Sequence, residues 1–276
     1  MSTAEVAARS TGRAPGAVRG VLLVVEHAWV WYRRNWRATA ISSLLQPLLF
    51  LVAFGIGFGS LISASDRAVQ FTGGVAYLTY LAPALLVIGA IQTAAFESTY
   101  PILSAFKWQR TYWAVTATPV TSGQLAGGQL TWIALRLTVS AVAYLVVVVL
   151  FGVMDGLGIL VALISAVLCG MAFSAPLVAF SAAQEGEGTV FAAVFRFVVV
   201  PMTLFSGTFF PISQLPGLIQ PLAWISPLWH GTELARGAAL GTMTLWPAVG
   251  HVAYLTALLL VGVLLSRWRF RVRLAR

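Results

Sequence analysis

QLTWIALRLTVSAVAYLVVVVLF (residues 129–151) and, after the break at Gly152–Gly156, LGILVALISAVLCGMAFSAPLVAFSAA (residues 157–183) decide the fold class. Each run is long and apolar enough to cross the hydrocarbon core of a bilayer as a helix, which takes roughly 20 residues. Arg136 and Asp155 are the charged groups within and between them. Two such runs joined by a short polar break read as antiparallel membrane helices.

The same pattern recurs on both sides. Thr39–Ser60 is a further run, with Gln46-Pro47 expected to kink it, and Val75–Phe96, Val190–Phe210 and Leu245–Ser266 complete the set. The chain therefore reads as an all-α polytopic membrane protein with six transmembrane helices. Composition agrees: 59% of the 276 residues are hydrophobic and 9% are charged, with a mean hydropathy of +0.88. A soluble domain carries about 25% charged residues, so this chain cannot cover a water-facing surface. Its length suits one membrane domain and leaves no room for a nucleotide-binding domain. A single cysteine, Cys169, excludes an intrachain disulfide and reads as a small apolar helix residue.

The net charge of +9 does not point to nucleic acid, because the basic residues flank the apolar runs and fill the tails. Such residues mark the cytoplasmic side. Arg9, Arg13, Arg19, Arg33, Arg34, Arg37, Lys107, Arg110, Arg267, Arg269, Arg271, Arg273 and Arg276 fall on one side of a six-span topology, and Arg67 and Arg236 on the other. Both termini are expected in the cytoplasm. Residues 1–17 lack the apolar core of a cleavable signal and read as a disordered cytosolic tail. Residues 18–37 read as an interface helix, 38–267 as the transmembrane domain and 268–276 as a basic cytosolic tail.

Three segments outside the spans carry more information. In Arg19–Arg37, Leu22, Val25, Trp29, Tyr32 and Trp36 share one helical face and Arg19, Glu26, Arg33, Arg34 and Arg37 another. That is an amphipathic helix lying in the interface, or more simply an anchor for the first span. The cytoplasmic stretch Ser98–Gln124 is aromatic and basic where a bare linker would be rich in Gly and Ser. On a helix, Ile102, Phe106 and Trp113 share one face, and Ser104, Lys107 and Thr111 the other; the second face could meet a soluble partner or only the membrane surface. Pro211–Gly241 holds Pro211, Pro216, Pro221 and Pro227 in an apolar context. It is expected to form a re-entrant or interfacial hairpin on the outer side, where irregular backbone must be buried in protein or line a cavity.

No enzyme constellation appears. The chain has no phosphate-cradling Gly-rich loop ending in Lys-Ser or Lys-Thr. His27, His230 and His251 are scattered without metal-ligand spacing, and Asp66 and Asp155 both sit in short outer loops. No catalytic, cofactor or metal residue is assigned. The informative ionisable residues are Glu97, Arg136 and Arg196, because charges at membrane depth usually face a bundle interior or a wet cavity. Both arginines are placed roughly 10 Å inside the inner boundary, where they line an inner vestibule, snorkel to headgroups, or pair with Glu97. Gly55 and Gly59 form a small-xxx-small pattern that permits close helix approach and dimer packing, and Ala166, Gly170 and Ser174 are similar positions in the fourth span.

Several stretches together resemble one family. They are Tyr80-Leu-Ala-Pro-Ala-Leu, Gln92-Thr-Ala-Ala-Phe-Glu97-Ser-Thr-Tyr100, Phe106-Lys-Trp-Gln-Arg-Thr-Tyr112 with Ala117-Thr-Pro119, and Phe205-Ser-Gly-Thr-Phe-Phe-Pro211 followed by Leu215-Pro216 and Ser226-Pro227-Leu228. They are similar to the type-2 ABC transporter permeases, in the lipooligosaccharide (NodJ-like) and daunorubicin-resistance branch, over about residues 20–270. The resemblance implies a six-helix permease pairing with a second copy, as a homodimer, and with two copies of a separate ABC-type ATPase subunit that bind the ATP and Mg. It implies an exporter subunit of the bacterial inner membrane, moving a lipid, lipid-linked saccharide or amphipathic drug. It also implies a coupling helix at about Pro101–Trp113, with Phe106, Lys107, Trp108, Arg110 and Tyr112 meeting the ATPase. Two other readings compete. A secondary transporter would show internal repeats and midplane charges, and a membrane enzyme acting on lipid-linked substrates would need convergent acids.

Overall fold

A computed structural model describes residues 15–53, 74–154 and 156–275, with side chains described outside 35–48, 50 and 51. Among the described residues there is no β-strand. The helices are α1 (Ala17–Val52), α2 (Tyr77–Ser98), α3 (Tyr100–Lys107), α4 (Thr111–Thr116), α5 (Ser122–Leu150), α6 (Gly158–Ala183), α7 (Thr189–Val194), α8 (Val200–Phe205), α9 (Gln220–Ile225), α10 (Pro227–Ala239) and α11 (Leu245–Leu274). A π-helical turn, Phe195–Val199, joins α7 to α8 and is closed by the Val200 N–H on the Phe195 carbonyl. The protein is an all-α polytopic membrane protein.

The run Tyr77–Lys107 (α2 with α3), α5, α6 and α11 are long and apolar enough to span a bilayer, and Thr189–Phe205 is apolar but shorter. Among the described residues, four of the six expected spans thus meet that criterion. The expected outer loop positions Asp66, Arg67 and Asp155 lie outside the described residues, as do Gly55 and Gly59.

α6 is the central helix, packed by α2, α5, α10 and α11. It is apolar on every side, as a buried membrane helix must be, and small residues let its neighbours close in. Ala166, Gly170 and Ser174 are buried within the chain: Gly170 meets Leu137 and Ala90, and the Ser174 hydroxyl lies 2.7 Å from that of Ser98. These small positions serve packing inside one subunit, which answers one possibility raised by their spacing. A Cβ added at Gly262 would come 2.5 Å from the ring of Pro176, so α11 crosses α6 at that glycine. Lipid gives no hydrophobic drive to helix association, so such close approaches and interhelical hydrogen bonds carry it. Among the latter, the Tyr144 hydroxyl donates to Ala82 O (2.8 Å) and Ser266 to Ala175 O (2.7 Å).

Two expected boundaries fall inside helices. α1 runs unbroken through residues 37 and 38, because Arg-Ala-Thr-Ala at positions 37–40 holds neither Gly nor Pro to stop it, and it also continues past Pro47. Its packed edge is Gly20 and Val24 against α5, with Gly128 as the point of closest approach, whereas Leu22 and Trp29 stay exposed. α11 likewise continues through 267 and 268 to Leu274, so most of the expected basic tail is ordered helix. The fifth apolar run, expected to reach Phe210, stops at Phe205. Gly207 there takes a positive φ of 72° and the chain turns toward α9.

Candidate functional site

The end of the bundle expected on the cytoplasmic side is built from α3, α4 and what braces them. α2 ends because the Thr99 hydroxyl bonds back to Ala95 O (2.8 Å), and Pro101 starts the next helix, where its missing N–H costs nothing. The expected single helix Pro101–Trp113 is two helices. The chain breaks at Trp108–Arg110, with Arg110 in the left-handed region (φ 55°). The Trp113 indole N–H donates to Phe106 O (3.1 Å) and holds the turn closed. Trp113 therefore leaves the face of Ile102 and Phe106 and is exposed.

This break sorts the five expected partner-contact residues. Phe106 and Tyr112 are buried, their rings packed edge-on at 4.8 Å, and burial pushes the Tyr112 phenol up. Trp108 and Arg110 are exposed and Lys107 is half-exposed. Lys107 Nζ lies 2.5 Å from Glu187 in the loop between α6 and α7, and this hydrogen bond holds the Glu187 carboxyl below its ordinary value. α4 hands over to α5 through a capping box. Gln124 N–H donates to Thr121 Oγ1 and Thr121 N–H to Gln124 Oε1, and the Gln124 amide also reaches Pro15 O (3.1 Å) at the start of α1.

One turn inward, Arg136 Nε donates to Glu97 Oε1 at 3.0 Å, and the Arg136 guanidinium lies 4.6 Å over the ring of Tyr32. Tyr32 in turn meets Trp132 edge-on. The ion pair thus joins the end of α2 to the middle of α5 and of α1. Arg196 is not part of it. It sits in the π-helical turn, exposed and without an ion pair to any described residue. The three ionisable residues expected together at the inner face are one pair and one separate cation.

The segment expected as an outer hairpin holds α9 and α10, and sequence reasoning missed what fixes it. Arg236, expected as an outward-facing charge, is buried. Its guanidinium donates to Gly207 O and Thr208 O (3.0 Å each) and to Tyr80 O (3.3 Å), and lies 3.8 Å over the Tyr80 ring. A basic residue one turn after Glu233 in an apolar, Pro-rich stretch was the available signal. His230 and His251, distant in sequence, meet with their Nδ1 atoms 2.7 Å apart, and Tyr254 stacks on His230 while its hydroxyl donates to Ile225 O. Among the described residues no group of three or more His, Cys, Asp or Glu side chains forms a metal site.

The α3–α4 ledge, the Glu97–Arg136 pair and the α9–α10 segment sit on one stretch of chain that matches a family model described as ABC-2 type transporter over residues 20–240. The chain belongs to the ABC-2 type transporter family. Nodulation protein J of Rhizobium meliloti (strain 1021) is 30% identical over 259 residues, covering 90% of this chain and 95% of that protein. Nodulation protein J of Rhizobium leguminosarum bv. trifolii is 31% identical over 255 residues, covering 90% and 93%. Its counterpart in R. leguminosarum bv. viciae is 30% identical over 255 residues. No solved structure matches the chain. As an ABC-2 family member the chain is a transmembrane transport component of the bacterial inner membrane, and the family implies an ABC ATPase partner.

Proposed function

We propose that this ABC-2 permease is the membrane subunit of an exporter. It moves a lipid, a lipid-linked saccharide or an amphipathic drug-like molecule from the cytoplasm or inner leaflet, while a separate subunit binds Mg and ATP and hydrolyses it. Two permease copies and two ATPase subunits make the working assembly, with both permease termini in the cytoplasm. The resemblance to the lipooligosaccharide branch supports the lipid-linked saccharide end of that range, and the nodulation protein J relatives at about 30% identity are in keeping with that branch.

The observation that carries the docking part is the α3–α4 ledge. Its apolar side chains Phe106 and Tyr112 are buried against the bundle, and Trp108, Gln109 and Arg110 are presented outward at the turn. An aromatic flanked by a cation is a common anchor at protein interfaces. Arg136 with Glu97 and the separate Arg196 give the inner face its charge, and Arg196, with no ion pair among the described residues, suits an anionic headgroup because guanidinium binds phosphate bidentately.

The test is Trp108→Ala combined with Arg110→Glu. The permease should insert normally, yet lose co-purification of the ATPase subunit and stimulation of its ATP turnover. Normal co-purification and normal turnover in the double variant would remove the ledge from the docking surface. Lys107→Glu is a poorer probe, because it also breaks the bond to Glu187.

A further inference from the structure

The end of α11 reads as a string of cations, Arg267-Trp-Arg-Phe-Arg-Val-Arg273, whose charge alone would make it a headgroup anchor. Phe270 departs from that role. It continues the buried stripe Gly262–Ser266–Phe270, spaced by four, and it is fully buried beyond the last hydrophobic turn of the span. Its ring stands 5.0 Å from Phe106 and 5.5 Å from Tyr112, so one ring each from α3, α4 and α11 forms a three-ring knot. One turn on, the Arg273 guanidinium lies 4.2 Å from the centre of the Phe106 ring and donates to Ala182 O at the end of α6 (2.9 Å).

The last turns of α11 therefore grip both ledge helices and the end of the central helix at one point. The gripped residues are sequence neighbours of the exposed ones: Phe106 of Lys107, and Tyr112 of the Arg110 turn. A shift of either ring moves the presented face with it, since α3 and α4 are too short to hold their own orientation. From the other end, His251 and Tyr254 bind the same unbroken helix to His230 and Ile225 of the outer hairpin.

We infer that Phe270, with Arg273, is a positioning residue of the ATPase-coupling step: the end of the last helix holds the docking ledge in the orientation the ATPase engages. This rests on the proposed docking function of the ledge, and two measurements separate the two ideas. The full chain, with Cys169→Ala and spin labels at exposed positions 109 and 267, is placed in nanodiscs of phosphatidylethanolamine and phosphatidylglycerol. Distances are read on labelled permease alone, diluted with unlabelled copies so that each label pair lies within one chain, and MgATP turnover is read for the unlabelled permease–ATPase complex.

The unaltered ledge should give one narrow distance. Phe270→Ala should broaden it and lower turnover by roughly tenfold, the effect of losing about 1.4 kcal/mol of interaction. Phe270→Leu, which refills most of the volume, should recover a narrow distance and most of the turnover. Arg273→Ala, which leaves the ring knot in place, should broaden the distance less and serves if Phe270→Ala fails to insert. A narrow distance in both the alanine variants, or a broadened one with unchanged turnover, overturns the inference. Unchanged turnover in the Trp108→Ala, Arg110→Glu variant instead overturns the docking function and leaves the grip to be judged by the distances.

Discussion

At the scale of single residues, the Glu97–Arg136 pair is mostly withdrawn from water, with side-chain exposures of 20% and 10%. Removing one partner strands the other, which costs about 3 kcal/mol in a buried pair. Glu97→Gln and Arg136→Leu should each lower thermal stability in detergent, and the double variant should lose less than the sum, with a coupling of about 1 kcal/mol or more. Strict additivity would show that the two side chains do not act as a pair. Arg236→Lys keeps the charge but loses the planar fork that reaches the three carbonyls of Tyr80, Gly207 and Thr208. Charge-assisted hydrogen bonds contribute about 1.5–3 kcal/mol each, so this substitution should loosen the outer hairpin, read as faster hydrogen exchange at residues 207–210 with helices elsewhere unaffected. The Lys107–Glu187 bond has a pH signature. The folded Glu187 carboxyl is depressed, so the bond's contribution is present above the ordinary carboxylate range and is lost as pH falls through the lower folded value. The carboxyl resonance of Glu187 should titrate below those of free glutamates, and Lys107→Gln should raise it most of the way toward them, the Trp108 indole keeping a smaller share of the depression.

At the scale of elements, helices meet where side chains are missing. Gly262→Leu should force α11 away from Pro176 of α6, an overpacking cost of about 1–3 kcal/mol; an unchanged melting profile would mean that the crossing is not tight. The apolar runs were legible in the sequence because their length and composition are local properties, and α2 and α6 lie within about two residues of expectation, whereas α5 begins at Ser122, about two turns before the expected Gln129. The split of the ledge into α3 and α4 was not legible. It depends on a left-handed Arg110, which no sequence pattern demands, and on the reach of Trp113 back to Phe106 O. The continuity of α1 and α11 past their basic ends was missed for a related reason. Charge marks where a helix leaves lipid, not where it stops being a helix.

At the scale of the whole molecule, this ABC-2 permease divides into the α3–α4 ledge, the Glu97–Arg136 pair and the α9–α10 segment, the ledge and the α9–α10 segment being fastened to α11. The purified chain should not turn over ATP, and any rate proportional to its own concentration would contradict the division of labour with an ATPase. In a Cys169→Ala background, an impermeant thiol reagent should label cysteines at 67 and 155 in intact cells and cysteines at 107 or 110 only after lysis; the reverse pattern would invert the topology. The fastenings were the least legible part of the chain. His230 with His251, Arg236 with Gly207, and Phe270 with Phe106 pair residues far apart in sequence, and only the packed fold brings them together. The π-helical turn at Phe195–Val199 bears on how the chain can vary in length. Such a turn amounts to one inserted residue in an otherwise regular helix. Deleting Val198 should therefore let α7 and α8 fuse into a continuous α-helix with the residues on either side kept in phase. Ser206 should still reach Ser226, whose hydroxyl it meets at 2.6 Å, and the hairpin should keep that fastening. Homologues that lack this residue should need no compensating insertion before the equivalent of Gly207.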